Sequence, residues 1–234
     1  MRAMILAAGR GTRMGHLTRS LPKPLLTLDG ESLIERHLGR LAAAGVDAVV
    51  INLSHFGERI RAALGNGERY GVRIRYSQEP AEPLETAGGI VNALPLLGDE
   101  PFLVVNSDVV SDFDYADLDV GALSGVLVLV PNPSHHPDGD YGVDGASRLT
   151  HEEPKYTFAG LSLLSPGLFA GLAPGRRPLT EVFDAGIAAG LLGAVVHAGL
   201  WIDVGTPERL ELARSVLRAG AEGTNRRGLT PNGV

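Results

Sequence analysis

Two glycines and two cations stand out in the first two dozen residues. In Ala7-Ala8-Gly9-Arg10-Gly11-Thr12-Arg13, Gly9 and Gly11 lack Cβ. The backbone there can approach a ligand closely and take positive φ. Successive N–H groups in such a loop form a nest for an anion. Arg13 adds a fork that clamps phosphate oxygens, and Lys23, set between Pro22 and Pro24, adds a compact point charge. This is chemistry for a polyphosphate. A Walker loop is excluded, because Gly-x-x-x-x-Gly-Lys-Ser/Thr is absent. A dinucleotide fingerprint fails as well, because Met14 stands where its third Gly belongs.

Two carboxylates follow much later. Asp108 comes after the apolar run Phe102–Asn106, and Asp203 after Trp201-Ile202. Each alone would be a turn or cap residue. As a converging pair they could hold Mg²⁺, which takes one or two carboxylates plus phosphate oxygens. His135 and His136 lie in the Pro/Gly/Asp-rich stretch 131–145 and read as solvated loop rather than metal ligands. No Gly-x-Ser-x-Gly elbow supports Ser–His–Asp catalysis.

The run Leu6 to Arg13, then Leu17-Thr18 and Leu21-Pro22-Lys23-Pro24-Leu25, resembles the signature of the sugar-1-phosphate nucleotidyltransferases. One departure is Gly15-His16, where the pattern has a residue followed by Pro. The resemblance covers most of the chain. It implies that Ala7, Ala8, Gly9, Gly11, Thr12, Arg13 and Lys23 hold the nucleotide. Arg13, Lys23 and Asp108 would be the catalytic set, and Asp108 and Asp203 would carry Mg²⁺. Tyr76–Pro80 with Leu84–Gly89 looks like the family's base-recognition segment, which implies Gln78 and Gly88 at the base. Asn106-Ser107-Asp108, Asp140-Tyr141-Gly142-Val143 and Glu152-Glu153-Pro154 resemble further segments of the family. Ser107 replaces a Gly and Glu153 a Lys. Asn106, Asp140, Gly142 and Glu153 are the implied sugar contacts. The implied partners are a nucleoside triphosphate and a sugar 1-phosphate. Pro83–Ile90, Asn132–His136 and Trp201–Thr206 most resemble the N-acetylmuramate 1-phosphate uridylyltransferases, which implies UTP. Mannose- and heptose-1-phosphate guanylyltransferases share much of the pattern. A nucleotide-binding module without chemistry is the alternative of another class.

These residues need elements to position them. Ala3–Ala8, Ala48–Leu53, Phe102–Asn106 and Val126–Val130 read as buried strands. Val72–Tyr76 alternates apolar and charged, as an edge strand would. Ser32-Leu33-Ile34-Glu35 is a capping box opening a helix that stops at Gly45. Further helices are expected over Phe56–Leu64, Thr86–Leu94 with Pro95 beyond it, Leu179–Ala189, and from Thr206-Pro207 onward. Phe158–Leu164, Gly193–His197 and Trp201–Gly205 read as later strands. The alternation of strand and helix predicts an α/β Rossmann-like, three-layer (GT-A-like) fold with a mixed, mainly parallel sheet. Ligands in such sheets bind beyond the carboxyl ends of the strands, where the glycine loop and Asp108 both fall.

The 234 residues are expected to form one domain over 1–220, with a nucleotide half to about 110, a sugar half after it, and a flexible tail at 221–234. There are no cysteines, so disulfides and thiolate chemistry are excluded. A net charge of −6 argues against a nucleic-acid surface. The apolar run at the start is too short for a signal peptide, and no stretch reaches the ~20 residues of a membrane span. A cytoplasmic location is expected.

Overall fold

The computed structural model describes residues 1–82 and 84–227, with side chains described up to 220. Thirteen strands run in chain order: β1 (Arg2–Leu6), β2 (Thr27–Leu28), β3 (Glu31–Ser32), β4 (Ala48–Leu53), β5 (Arg73–Gln78), β6 (Phe102–Asn106), β7 (Val109–Ser111), β8 (Gly125–Val130), β9 (Tyr141–Val143), β10 (Leu149–Thr150), β11 (Lys155–Leu164), β12 (Leu192–Val196) and β13 (Trp201–Asp203). The helices are α1 (Leu33–Ala43), α2 (Gly57–Leu64), α3 (Glu85–Leu97), α4 (Leu179–Ala188) and α5 (Pro207–Arg227). Short 3₁₀ turns add Thr12–Thr18 and Lys23–Leu25 near the glycine loop.

The main sheet runs β10-β9-β11-β6-β1-β4-β5, with β8 on β11 and β12 on β8. β6, β1, β4 and β5 are parallel to one another, and β12 is parallel to β8. β11 runs antiparallel between them and shifts register between Phe158 and Ser162. The sheet is thus mixed, with one parallel half made of β6, β1, β4 and β5, and β5 lies at its edge as its alternating pattern requires.

Period two along β1 sends Ala3 and Ile5 to one face and Met4 to the other. The first face packs against Ile34, Leu38 and Leu41 of α1 and Ile60 and Leu64 of α2. The second packs against Ala87, Ile90 and Ala93 of α3 and Val182 and Phe183 of α4. The capping box forms: Ser32 accepts from Glu35 N–H, and Glu35 accepts from Ser32 N–H.

A third apolar cluster decides where Asp203 goes. Met14 of the first 3₁₀ turn, Leu28, Val110, Ile202, Val204 and Leu210 of α5 are buried together. Burying each such side chain is worth about 1.5–3 kcal/mol. This cluster folds the end of the chain back onto its beginning.

Three local features differ from the sequence reading. α3 runs on to Leu97 with Pro95 inside its last turn, where the missing N–H removes a single helical bond. β13 forms within the strand expected at Trp201–Gly205 but pairs with β7 as a separate antiparallel ribbon, a pairing that neither strand alone signals. α5 continues to Arg227, and the remainder of the expected tail, 228–234, lies outside the described residues.

Candidate active site

The glycine loop leaves the carboxyl end of β1. Gly11 takes φ 61°, and its carbonyl accepts from Met14 N–H at 3.0 Å and Thr18 Oγ1 at 2.9 Å. A Cβ at Gly11 would sit 3.0 Å from Lys23 Cβ, so the glycine also lets the lysine stem pack under the loop. Ala7 N–H donates to Asn52 Oδ1 at 2.7 Å, which ties the start of the loop to β4. Ala7 therefore anchors, while Ala8, Gly9, Gly11, Thr12 and Arg13 line a cavity of about 440 Å³.

Lys23 is only 8% exposed. Its Nζ donates to Asp108 Oδ2 across the cavity, forming a partly buried ion pair. Arg13 is exposed and makes no ion pair among the described residues. The opposite wall carries Asn106, Ser107 and Asp108 from the end of β6, with Glu79 and Thr86 nearby.

Asp203 arrives on the ribbon. It pairs in register with Val109, and Val204 N–H donates to the Asp108 carbonyl at 2.7 Å. The two aspartates, 95 positions apart in sequence, thus lie side by side, Asp108 in the turn before β7 and Asp203 on β13, and line one further cavity of about 350 Å³. Arg209 Nη2 lies 3.1 Å from Asp203 Oδ2, and Gly205 leaves room for it, since a Cβ there would meet that guanidinium at 2.0 Å. His135 Nε2 is 3.1 Å from Asp203 Oδ1, an ion-pair distance without hydrogen-bond geometry. Asp203 Oδ1 is therefore buried with no hydrogen-bond partner. A buried carboxylate oxygen left unbonded is costly unless a ligand satisfies it. Among the described residues no three His, Asp or Glu side chains converge as a self-contained metal site. Two carboxylates beside a glycine loop are instead a donor set that could hold a cation shared with phosphate oxygens.

Asn106 faces a third cavity of about 420 Å³, with apolar walls from Tyr141, Phe158, Leu179 and Phe183. Asp140 lines it too. One Asp140 oxygen accepts from Phe158 N–H at 2.7 Å, and the other lies 3.0 Å from His136 Nε2. The three cavities meet at Asn106, which lines all of them.

A model of the nucleotidyl transferase family matches residues 2–143. The chain belongs to the nucleotidyl transferase family. It is 46% identical to an N-acetylmuramate alpha-1-phosphate uridylyltransferase of Neisseria meningitidis serogroup B, over 94% of this chain and 99% of that protein. A Caulobacter vibrioides protein of the same name is 34% identical, over 88% and 92% respectively. Among solved structures, HddC from Yersinia pseudotuberculosis superposes with a TM-score of 0.78 at 23% identity, covering 92% of this chain and 99% of that one. That likeness speaks for the shared fold.

Not every expected residue of this nucleotidyl transferase reaches the cavities. Gln78 donates to the Leu53 and Glu79 carbonyls and faces a separate surface hollow with His55 and Phe56. Gly88 is packed by protein: its N–H donates to the Arg177 carbonyl, and a Cβ would lie 2.2 Å from the Gly175 carbonyl. Gly142 sits under the Glu152 carbonyl at a strand crossing, so backbone and not ligand demands the glycine. Glu153 is exposed and accepts from Lys155 N–H.

Four residues outside the sequence-derived set enter the site. Glu79 is 6% exposed and lines the loop cavity. Burial pushes its carboxyl above the usual range, against hydrogen bonds from Asn52 and the Leu84 backbone. Strand alternation was the available signal: Ser77 points in, Gln78 out, Glu79 in. His135 and His136 lie in a loop as expected, His135 exposed, and both also line the aspartate cavity. For His136 the signal was Asp140 four residues on. Arg209 had no local signal at all.

Proposed function

We propose that this chain transfers UMP from UTP to N-acetylmuramate α-1-phosphate, releasing pyrophosphate. The observation that carries the reaction class is the meeting of Lys23, Asp108 and Asp203, from three distant stretches of chain, beside one glycine loop. The choice of base and sugar rests on the 46% identity to the Neisseria enzyme. Mannose-1-phosphate guanyltransferases are the competing reading; that of Aspergillus fumigatus is 32% identical, over 99% of this chain and 68% of that protein.

The acceptor phosphate is already an anion, so no general base is required. Catalysis then reduces to positioning and charge neutralisation. Loop N–H groups, Arg13 and Lys23 hold the triphosphate. Asp108 and Asp203 would hold Mg²⁺, which supplies Lewis-acid charge neutralisation at the phosphates. Asn106 stands at the junction between nucleotide and sugar cavities. No described helix is long and apolar enough to cross a membrane, and a cytoplasmic enzyme feeding cell-wall sugar recycling is the setting that fits this substrate. Against a non-catalytic nucleotide binder stands the extent of the match to named transferases, 46% identity over 94% of this chain.

The test is a pyrophosphate-release matrix with Mg²⁺, crossing UTP, GTP, dTTP and CTP with N-acetylmuramate, glucose, mannose and heptose 1-phosphates. UTP with the N-acetylmuramate compound should give the highest kcat/KM. A maximum at GTP and mannose 1-phosphate, or turnover nowhere, would overturn the reading.

A further inference from the structure

Resting on that reading, the site must also recognise the acceptor's own carboxylate. N-acetylmuramate differs from N-acetylglucosamine by a lactyl acid on the 3-oxygen, two ring carbons from the phosphate-bearing carbon. With the phosphate at Asn106 and Asp108, the sugar extends into the apolar-walled cavity beyond. That cavity has two acids in its lining, Glu85 and Asp140, and no base. A carboxylate placed there needs a cation from the rim.

Glu85 is unusual in two ways. It lines both the loop cavity and the sugar cavity. It also takes φ 57°, a left-handed conformation that disfavours any side chain bearing Cβ. Glu85 Oε1 accepts from Arg176 Nε at 2.7 Å and also from Arg176 Nη2. Both donors fall on one oxygen, and Nη1 makes no bond among the described residues. The Arg176 side chain is 74% exposed. The strap carrying it is fixed independently: Arg177 N–H donates to the Leu84 carbonyl, and the Arg177 carbonyl accepts from Ala87 and Gly88 N–H. Pro178, Leu179 and Thr180, next in the strap, form the outer wall of the sugar cavity.

We infer that Arg176 is the residue that reads the carboxylate of the acceptor sugar, and that Glu85 is its positioning residue. Arginine suits the task because its planar fork can face two carboxylates at once. His135 and His136 are worse placed, since they line the aspartate cavity on the phosphate side. The strained backbone at Glu85 then delivers an acid to the guanidinium it holds.

The experiment compares two acceptors, N-acetylmuramate 1-phosphate and N-acetylglucosamine 1-phosphate, with UTP. Arg176→Ala should raise KM for the carboxylated acceptor about 10- to 100-fold, the range for losing a charge-assisted hydrogen bond. The kcat/KM preference between the two acceptors should shrink by the same factor, with KM for UTP unmoved. Arg176→Lys should recover part of the preference. Glu85→Gly should shrink it too, while Tm stays level or rises because glycine relieves the left-handed backbone. Equal losses for both acceptors, or an unchanged preference in Arg176→Ala, would overturn this inference alone. A wild-type enzyme that does not use the carboxylated acceptor would overturn the functional reading and the inference with it.

Discussion

Replacing Lys23 with Met separates what this side chain does for the fold from what it does for the reaction. Methionine keeps the stem that packs beneath Gly11 and removes only the ammonium. In the ligand-free protein the loss leaves Asp108 without its partner. Asp108 keeps 30% of its side-chain surface in water, so the pair is not a deeply buried one. The stability cost should therefore be about 1 kcal/mol, near the top of the surface-pair range, and not the 3–5 kcal/mol of a fully buried pair. For a chain of this size that is about 2–4 °C in Tm. Turnover should fall much further. A preorganised charge aimed at a developing anion is worth about 2.7–4 kcal/mol, which is about 10²–10³ in kcat. Calorimetry and steady-state pyrophosphate release on the same sample measure both. A loss of turnover below tenfold would refute the placement of Lys23 at the triphosphate. A Tm drop above about 10 °C would show that Lys23 acts mainly on the fold.

Asp203→Asn and Asp108→Asn should each cost about 10²–10³ in kcat and raise the Mg²⁺ concentration giving half-maximal rate; a Mg²⁺ titration with wild-type midpoint and turnover would sink the metal assignment. Glu79→Gln exchanges a pure acceptor at the nucleotide cavity for a group that also donates. The kcat/KM for UTP, whose N3–H needs an acceptor, should fall about tenfold, and discrimination against CTP should narrow; an unchanged UTP/CTP ratio counts against Glu79 as a base reader. His37 is buried, with Nδ1 3.0 Å from the Tyr115 hydroxyl, and burial above all pushes its pKa down from 6.5 to about 4. The unfolded chain takes up that proton first, so the associated stability is whole above pH 6.5 and drains away as pH falls toward 4. Urea unfolding should show wild type losing about 2–3 kcal/mol more than His37→Gln between pH 7.5 and 4.5, and equal losses would contradict the buried neutral imidazole.

The strands and helices were legible because their signals are local. Ala48–Leu53 and Phe102–Asn106 have the same bounds in sequence and structure, and the Ser32–Glu35 box opens α1 where expected. The candidate phosphate-binding residues stood out for the same reason: Gly9, Gly11, Arg13 and Lys23 lie within one short run of chain. Ligand contacts were harder to read, because a motif names a segment and not the direction of each side chain. Gln78 and Glu79 are neighbours on opposite faces, and it is Glu79 that lines the cavity.

Sequence by itself determined the layered α/β arrangement and gathered glycines and cations in one N-terminal loop, since both are matters of periodicity and residue type over a few neighbouring positions. The tertiary structure brings Asp203 to Asp108, a meeting the family resemblance had implied, and it alone decided that Arg209 and His135 close around Asp203 and that Arg176 hangs on Glu85. Those pairings span up to 95 residues and depend on apolar burial, chiefly the cluster joining Met14, Val110 and Val204. Hydrophobic burial is non-directional, so no spacing along the chain records which distant polar groups it will bring face to face.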